Sequence, residues 1–287
     1  MPTALKPLTL KDVLARNIKL PVCPAVFSRL TMALASPNSS GEDVAKTVST
    51  DQSLTTEVLK VANSAFYGLS RRVRSVDEAI VRLGFGEISA IVTAIQAREI
   101  FKGGDGRWTR YNSILFTHAL STAIITRSLG KRLNPAFADA FFTAGMMHDI
   151  GKLVMQQIDP QYSAFCEMGA VHGHTLVVRE QDAYSTNHAA IGSELLKHWN
   201  LPETLVKLVE GHHDRVNEAD RVKGVRETLA AANEISHHVE AQNSGEDLNF
   251  NVTLPDYLLL MTHLDLHSWS LVAADCHRQF QAMKALN

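Results

Sequence analysis

Met146-Met147-His148-Asp149-Ile150-Gly151-Lys152 is the stretch on which the reading of this chain turns. An imidazole beside a carboxylate is a donor pair suited to a divalent first-row metal, which can activate water for hydrolysis. Neighbouring residues of one helix point roughly 100° apart. Both side chains therefore reach one ion only at a helix edge, with other helices completing the shell. Isolated histidines stand on either side, at His118, His188 and His212, and could supply that completion. The dipeptide carries little by itself. Its flanks and the rest of the chain give it weight.

The signals around it are helical. Thr9 with Asp12, Ser40 with Asp43 and Ser75 with Glu78 each fit a helix N-cap followed three positions later by an acid. Pro24 suits a first helical turn. Val76, Ala79, Ile80 and Leu83 share one helical face, with Gly84 placed to end the helix, and Val58, Leu59 and Ala62 make a similar stripe. Longer helices are expected over residues 107–129, 135–147, 176–184, 188–199, 202–212 and 222–238. No run alternates as strands do, and no hairpin turn joins β-rich segments. Gly103-Gly104-Asp105-Gly106 cannot sit inside a helix and reads as the loop between two lobes. With no preceding strand and no following Lys-Ser/Thr, it is not read as a phosphate loop. Residues 241–251 read as a second loop, and 255–286 as one or two more helices. The expected division is an N-terminal helical lobe (1–105), a lobe bearing the His-Asp pair (106–240) and a helical extension (241–287).

At 287 residues the chain can bury an ample core, and 45% hydrophobic with 20% charged residues describes an ordinary globular protein. A net charge of -2 argues against electrostatic binding of nucleic acid or membranes. Cys23, Cys166 and Cys276 lack zinc-type spacing and suit a reducing cytoplasm. The first ten residues lack a secretory signal, and the run Ile88 to Ile95 is broken by Ser89 and Thr93 well short of the ~20 apolar residues of a spanning helix. A cytoplasmic protein is expected, with neither nucleic acid nor membrane as partner.

Three ordered blocks precede the His-Asp stretch: Leu20-Pro21-Val22-Cys23-Pro24, Leu59-Lys60-Val61-Ala62-Asn63-Ser64-Ala65-Phe66-Tyr67-Gly68, and Ser75 to Gly84. After it come His188-Ala189-Ala190-Ile191-Gly192, Trp199-Asn200-Leu201-Pro202 and His212-His213. The set resembles the HDOD domain, the HD-related output domain of bacterial signalling proteins, over about Leu20 to Asp214. The resemblance implies an all-α, two-lobed fold whose second lobe is related to the HD phosphohydrolases. It further implies that His118, His148, Asp149, His188 and His212, or its neighbour His213, converge as metal ligands. Of the two adjacent histidines, one is expected to face the site, and His213 is the weaker choice. The late aspartate of the HD superfamily would fall near Asn233, whose amide can coordinate but carries no charge. Asp149 would also serve catalysis, with Lys152 contacting it or a substrate phosphate. Read without the family, His118 is a core histidine among Leu115, Phe116 and Leu120, and His148-Asp149 a helix-end cap. Arg71, Arg72 and Arg74 read as surface charge. His172, His174, His237, His238, His263, His267 and His277 are given no chemistry.

Two functions follow as expectations. One is a regulatory signalling module, non-catalytic or weakly catalytic, that binds a signalling protein or a small nucleotide. The other is a phosphohydrolase acting on a nucleotide or cyclic dinucleotide through iron, manganese, zinc or nickel, with no organic cofactor. Asn233 favours the module. The Gly-Tyr-Pro element usual in the cyclic-dinucleotide hydrolases of the HD superfamily is missing from Asp214 to Asp220. With no receiver, membrane-spanning or diguanylate-cyclase segment read in the chain, input is expected through a partner or ligand.

Overall fold

The computed structural model describes residues 10–15, 20–35, 41–102, 108–133, 135, 138–167, 172–214, 224–243 and 247–284, and every regular element among them is helical. The first lobe comprises α1 (Leu10–Ala15), α2 (Ala25–Leu34), α3 (Gly41–Ser49), α4 (Gln52–Ala62), a 3-10 turn at Ala65–Tyr67, α5 (Val76–Leu83) and α6 (Phe85–Phe101). The second comprises α7 (Arg110–Leu133), α8 (Ala138–Met147), α9 (Ile150–Ile158), α10 (Tyr162–Glu167), α11 (Gly173–Tyr184), α12 (His188–His198), α13 (Glu203–Glu210) and α14 (Val225–Ala241). Two more, α15 (Asp256–Thr262) and α16 (Leu266–Lys284), follow.

Local sequence explains the boundaries. The Ser75 hydroxyl accepts from the Glu78 N–H at 3.1 Å, and the Glu78 carboxylate accepts from the Arg74 N–H at 2.9 Å. This reciprocal arrangement starts α5. Gly84, at φ 90°, ends α5 and turns directly into α6, a backbone position that favours glycine. Asp51 and Asn187 cap α4 and α12 by accepting from Leu54 N–H and Ala190 N–H. Pro24 stands just before α2 as its N-cap rather than inside its first turn. The expected helix over 135–147 begins at Ala138, and the one over 202–212 stops at Glu210, which leaves His212 and His213 in a turn. Thr9, Ser40 and the Gly103–Gly106 loop lie outside the described residues.

The apolar run Ile88 to Ile95 belongs to α6, which is buried on every face from Ile88 to Ala97. A helix apolar around its whole circumference belongs to an interior. Here α6 packs against α2, α4 and α5 on one side and α7 and α8 on the other, joining the lobes. No described helix is long and apolar enough to cross a membrane. The core runs without interruption from Val13 through to Met283. α16 lies along α7 and touches the 3-10 turn of the first lobe, and α1 reaches α12.

A buried polar link accompanies this apolar joint. Arg127 of α7, 3% exposed, donates from Nη1 to Glu87 Oε2 at 2.8 Å and from Nε to Asp139 Oδ1 at 3.2 Å, while Tyr67 OH donates to Glu87 Oε1 at 2.7 Å. Arg127→Met should leave two carboxylates without their cation. Because both acids keep some contact with water, the loss belongs at the low end of the ~3–5 kcal/mol seen when a buried pair is broken. Urea unfolding followed by circular dichroism would measure it. A change below ~1 kcal/mol would show that the joint is held by apolar packing alone.

Candidate metal centre

Five elements deliver the candidate donors. His118 comes from the middle of α7, His148 and Asp149 from the corner between α8 and α9, His188 from the first residue of α12, His212 and His213 from the turn after α13, and Asn233 from α14. His148 and Asp149 do not share one helix, and the expected end at Met147 is where the structure has it. α8 ends at Met147, Asp149 sits at φ -98° and ψ 10°, and α9 starts at Ile150. A corner frees the two neighbours from the 100° splay of a helix, so both turn inward. Gly151 is a packing requirement: a Cβ there would lie 1.9 Å from the His188 carbonyl oxygen and 2.8 Å from the Gly192 nitrogen. Without a side chain, α9 can lie directly on the start of α12, which holds His188 against Asp149.

The imidazoles are aimed by their outer nitrogens. His148 Nδ1 lies 2.8 Å from the Gly145 carbonyl oxygen and His212 Nδ1 2.6 Å from that of Val209. His118 Nδ1 lies 2.7 Å from Glu240 Oε1, and His188 Nδ1 2.7 Å from Glu180 Oε2. With each Nδ1–H donating outward, each Nε2 turns toward Asp149. The carboxylate has two sides. Its Oδ2 stands 3.6 Å from His118 Nε2 and 3.4 Å from His148 Nε2, and accepts from Lys152 Nζ at 2.6 Å. Its Oδ1 stands 3.2 Å from His188 Nε2 and 3.6 Å from His212 Nε2. Asn233 Oδ1 lies 3.0 Å from His118 Nε2, and His213 Nε2 lies 2.9 Å from His188 Nε2.

These residues fit a divalent ion. Bonds of ~2.0–2.2 Å to a tetrahedral ion place its donors roughly 3.4 Å apart, the range found around Asp149. Asp149 Oδ1 and His212 Nε2 are buried with no hydrogen-bond partner. A native interior rarely leaves such acceptors unpaired, and an ion between them would satisfy both. Imidazole with one carboxylate suits zinc, iron, manganese or nickel without sharp preference.

Charge within the cluster is uneven. Burial opposes ionisation of Asp149, but His148 and Lys152 override it and hold its pKa well below the ordinary carboxylate value. Burial likewise opposes charge on His118 and His188, yet Glu240 and Glu180, aided by Asp149, raise both. Burial wins at His148, which is lowered, and at His212, which is pushed down to about 4. The two histidines backed by glutamates therefore carry more basic rings than the two backed by carbonyl oxygens.

All the residues selected from sequence are thus brought together, with one correction. His212 and His213 both face the centre, because each sits in a turn, and their rings pack together with centroids 3.9 Å apart and planes 44° from parallel. Sequence reasoning overlooked the residues that hold the histidines. Glu180 is fully buried, receiving Tyr162 OH as well as the His188 backbone N–H at 3.0 Å. Its signal was an acid on the same α11 face as buried Leu176, four residues earlier. Glu240 lies seven residues after Asn233 on α14, with His237 between, a polar stripe on one helical face. His237 and His172, given no chemistry from the sequence, lie beside the centre: His237 stacks on His118 at 4.3 Å and His172 packs on His237 at 4.4 Å. Arg71, Arg72 and Arg74 are exposed, as read.

Known proteins share this architecture. The family model of the HDOD domain matches residues 20–215. An uncharacterized protein of Treponema pallidum (strain Nichols) is 24% identical over 232 residues, 80% of this chain, and the chain spans 44% of that protein's length. Among solved structures, an HDOD domain protein of unknown function from Geobacter sulfurreducens matches with a TM-score of 0.71 and 20% identity, covering 96% of each chain. A Shewanella amazonensis SB2B protein, named provisionally as a phosphohydrolase, matches at 0.69 and 24% identity, covering 96% of this chain and 97% of its own. At such identities these structures speak for the fold. The family model covers about two thirds of the sequence and spans the corner with His118, His148, Asp149, His188, His212 and His213, so this chain belongs to the HDOD domain family.

Proposed function

We propose that this chain is a regulatory HDOD module organised by one divalent metal ion, held by Asp149 Oδ1, His188, His212 and His213. It would bind a signalling protein or a small nucleotide rather than turn one over. The observation carrying this reading is the unpaired pair Asp149 Oδ1 and His212 Nε2, buried inside a set of four protein donors. Structural metal sites are closed by four protein ligands, whereas catalytic ones keep a position for water or substrate. Asp149, His188 and His212 are each at most 1% exposed.

The Oδ2 side is a poorer place for an ion. Lys152 already neutralises that oxygen, and Asn233 supplies a neutral acceptor that cannot take a proton from water. A bound metal supplies Lewis acidity and a nucleophile at neutral pH. Around it, Glu180 and Glu240 fix the orientation of His188 and His118, and Lys152 fixes that of Asp149. The second reading, a metal-dependent phosphohydrolase of nucleotides, draws support from His118 and His148, which give Asp149 nitrogen donors on both sides as in two-metal sites.

Elemental analysis of the purified protein, beside hydrolysis assays on nucleotides, tests the choice. The expected result is about one ion per chain, lost in His188→Ala and His212→Ala and retained in His118→Ala, with no nucleotide turnover. Asn233→Asp should raise the metal content, since it returns a negative charge to the Oδ2 side. Brisk hydrolysis by the parent that His148→Ala abolishes would establish the enzyme reading instead.

A further inference from the structure

We infer a second, solvent-reachable site for a divalent transition ion on the outer flank of this cluster, formed by His237, Glu240 and His172. It does not depend on whether the inner donors hold metal, because it uses different ligand atoms.

Glu240 divides its two oxygens between two tasks. Oε1 accepts from His118 Nδ1 at 2.7 Å and from the Ser236 hydroxyl at 3.0 Å. Oε2 faces His237 Nδ1 at 3.5 Å. That separation is beyond ordinary hydrogen-bond length and equals the spacing of two donors on one ion. His237 and Glu240 are three residues apart on α14, hence on one face of the helix. His118, His237 and Glu240 each offer a ligand atom, all within 4.8 Å of one another, but the hydrogen bond to Oε1 already engages the outer nitrogen of His118. A third donor is one side-chain turn away, at His172. His172 packs its ring against that of His237, with centroids 4.4 Å apart and planes 35° from parallel. It is exposed at the start of α11, where its side chain can turn without disturbing a core.

Access separates this site from the inner one. The side chains of His237 and Glu240 are 17% and 27% exposed, against 0–1% for Asp149 and His188. An ion can therefore exchange with solvent here. Two imidazoles and one carboxylate favour zinc, nickel or copper over magnesium or calcium. Glu240 also ties the site to the inner cluster. An ion on Oε2 draws charge from the carboxylate that orients His118, and outer partners of this kind tune a ligating histidine.

Zinc titration of the chelator-stripped full chain, in competition with a chromophoric zinc indicator, tests the inference. The expected result includes an exchangeable class of zinc that His237→Ala eliminates and His172→Ala weakens by about tenfold or more. His188→Ala should leave that class in place while removing any tighter one. Failure of the inner centre would thus show as loss of the tight class alone. His172 is exposed, so His172→Ala keeps the test valid even if His237→Ala does not fold. Zinc binding by His172→Ala that is indistinguishable from the parent overturns the site.

Discussion

Asp149→Ala is expected to empty the inner centre of metal and, measured on chelator-treated protein, to cost about 3–5 kcal/mol of stability. The stability loss comes from the partner left behind. Lys152 is 7% exposed and donates to Asp149 Oδ2 at 2.6 Å. Removing the carboxylate leaves an ammonium in the interior without its counter-charge, while the buried Glu180 is already engaged by His188 and Tyr162. The double substitution Asp149→Ala with Lys152→Met should recover most of the loss, because it removes both charges together. Metal binding should not return, since the only carboxylate among the proposed inner donors is still missing. Urea unfolding of the parent, the two single variants and the double gives the coupling energy directly. A single variant as stable as the parent would mean that Lys152 finds another partner, and the pairing would then not organise the centre.

The same cluster shows where the sequence was legible. The long helices announced themselves through caps such as Ser75 and Asn187 and through apolar stripes such as that of α5. The histidines were found because their order along the chain matches a family. What escaped was whatever depends on backbone direction. The helix expected over 135–147 stops where α8 stops, but nothing in the spacing reveals the direction of the corner that turns His148 and Asp149 inward. A turn also let both His212 and His213 face the site, where a helix would have sent one away. Glu180, Glu240 and His237 were hidden for a different reason. An acid on a helix reads as solvated until the partner that buries it is known, and those partners lie 8 residues away for Glu180 but 122 for Glu240. Spacing within one helix reveals only the stripe, not the histidine it serves.

Gly151→Ala should be as damaging as the loss of a ligand, though no ligand atom is touched. A Cβ at this position would meet the His188 carbonyl oxygen at 1.9 Å and the Gly192 nitrogen at 2.8 Å. Both are backbone atoms, so no rotamer change relieves the contact. α9 and α12 must separate by roughly 1.5 Å to restore van der Waals spacing, and forcing extra volume into a close-packed interior typically costs about 1–3 kcal/mol. Backbone on both sides puts this case at the top of that range. The separation also carries His188 away from Asp149, so metal affinity should fall by about 10–100-fold, the loss usual when a ligand's support is disturbed. Gly68→Ala is the control. Gly68 has φ 57°, and a Cβ added there would have nothing within 4 Å, so alanine strains the backbone by about 1–2 kcal/mol and leaves the centre alone. The two variants should differ in metal affinity more than in thermal stability. Equal metal affinity in both would mean that the α9–α12 contact serves the fold and not the position of His188, and the link from the glycine of the His-Asp stretch to the metal centre would fail.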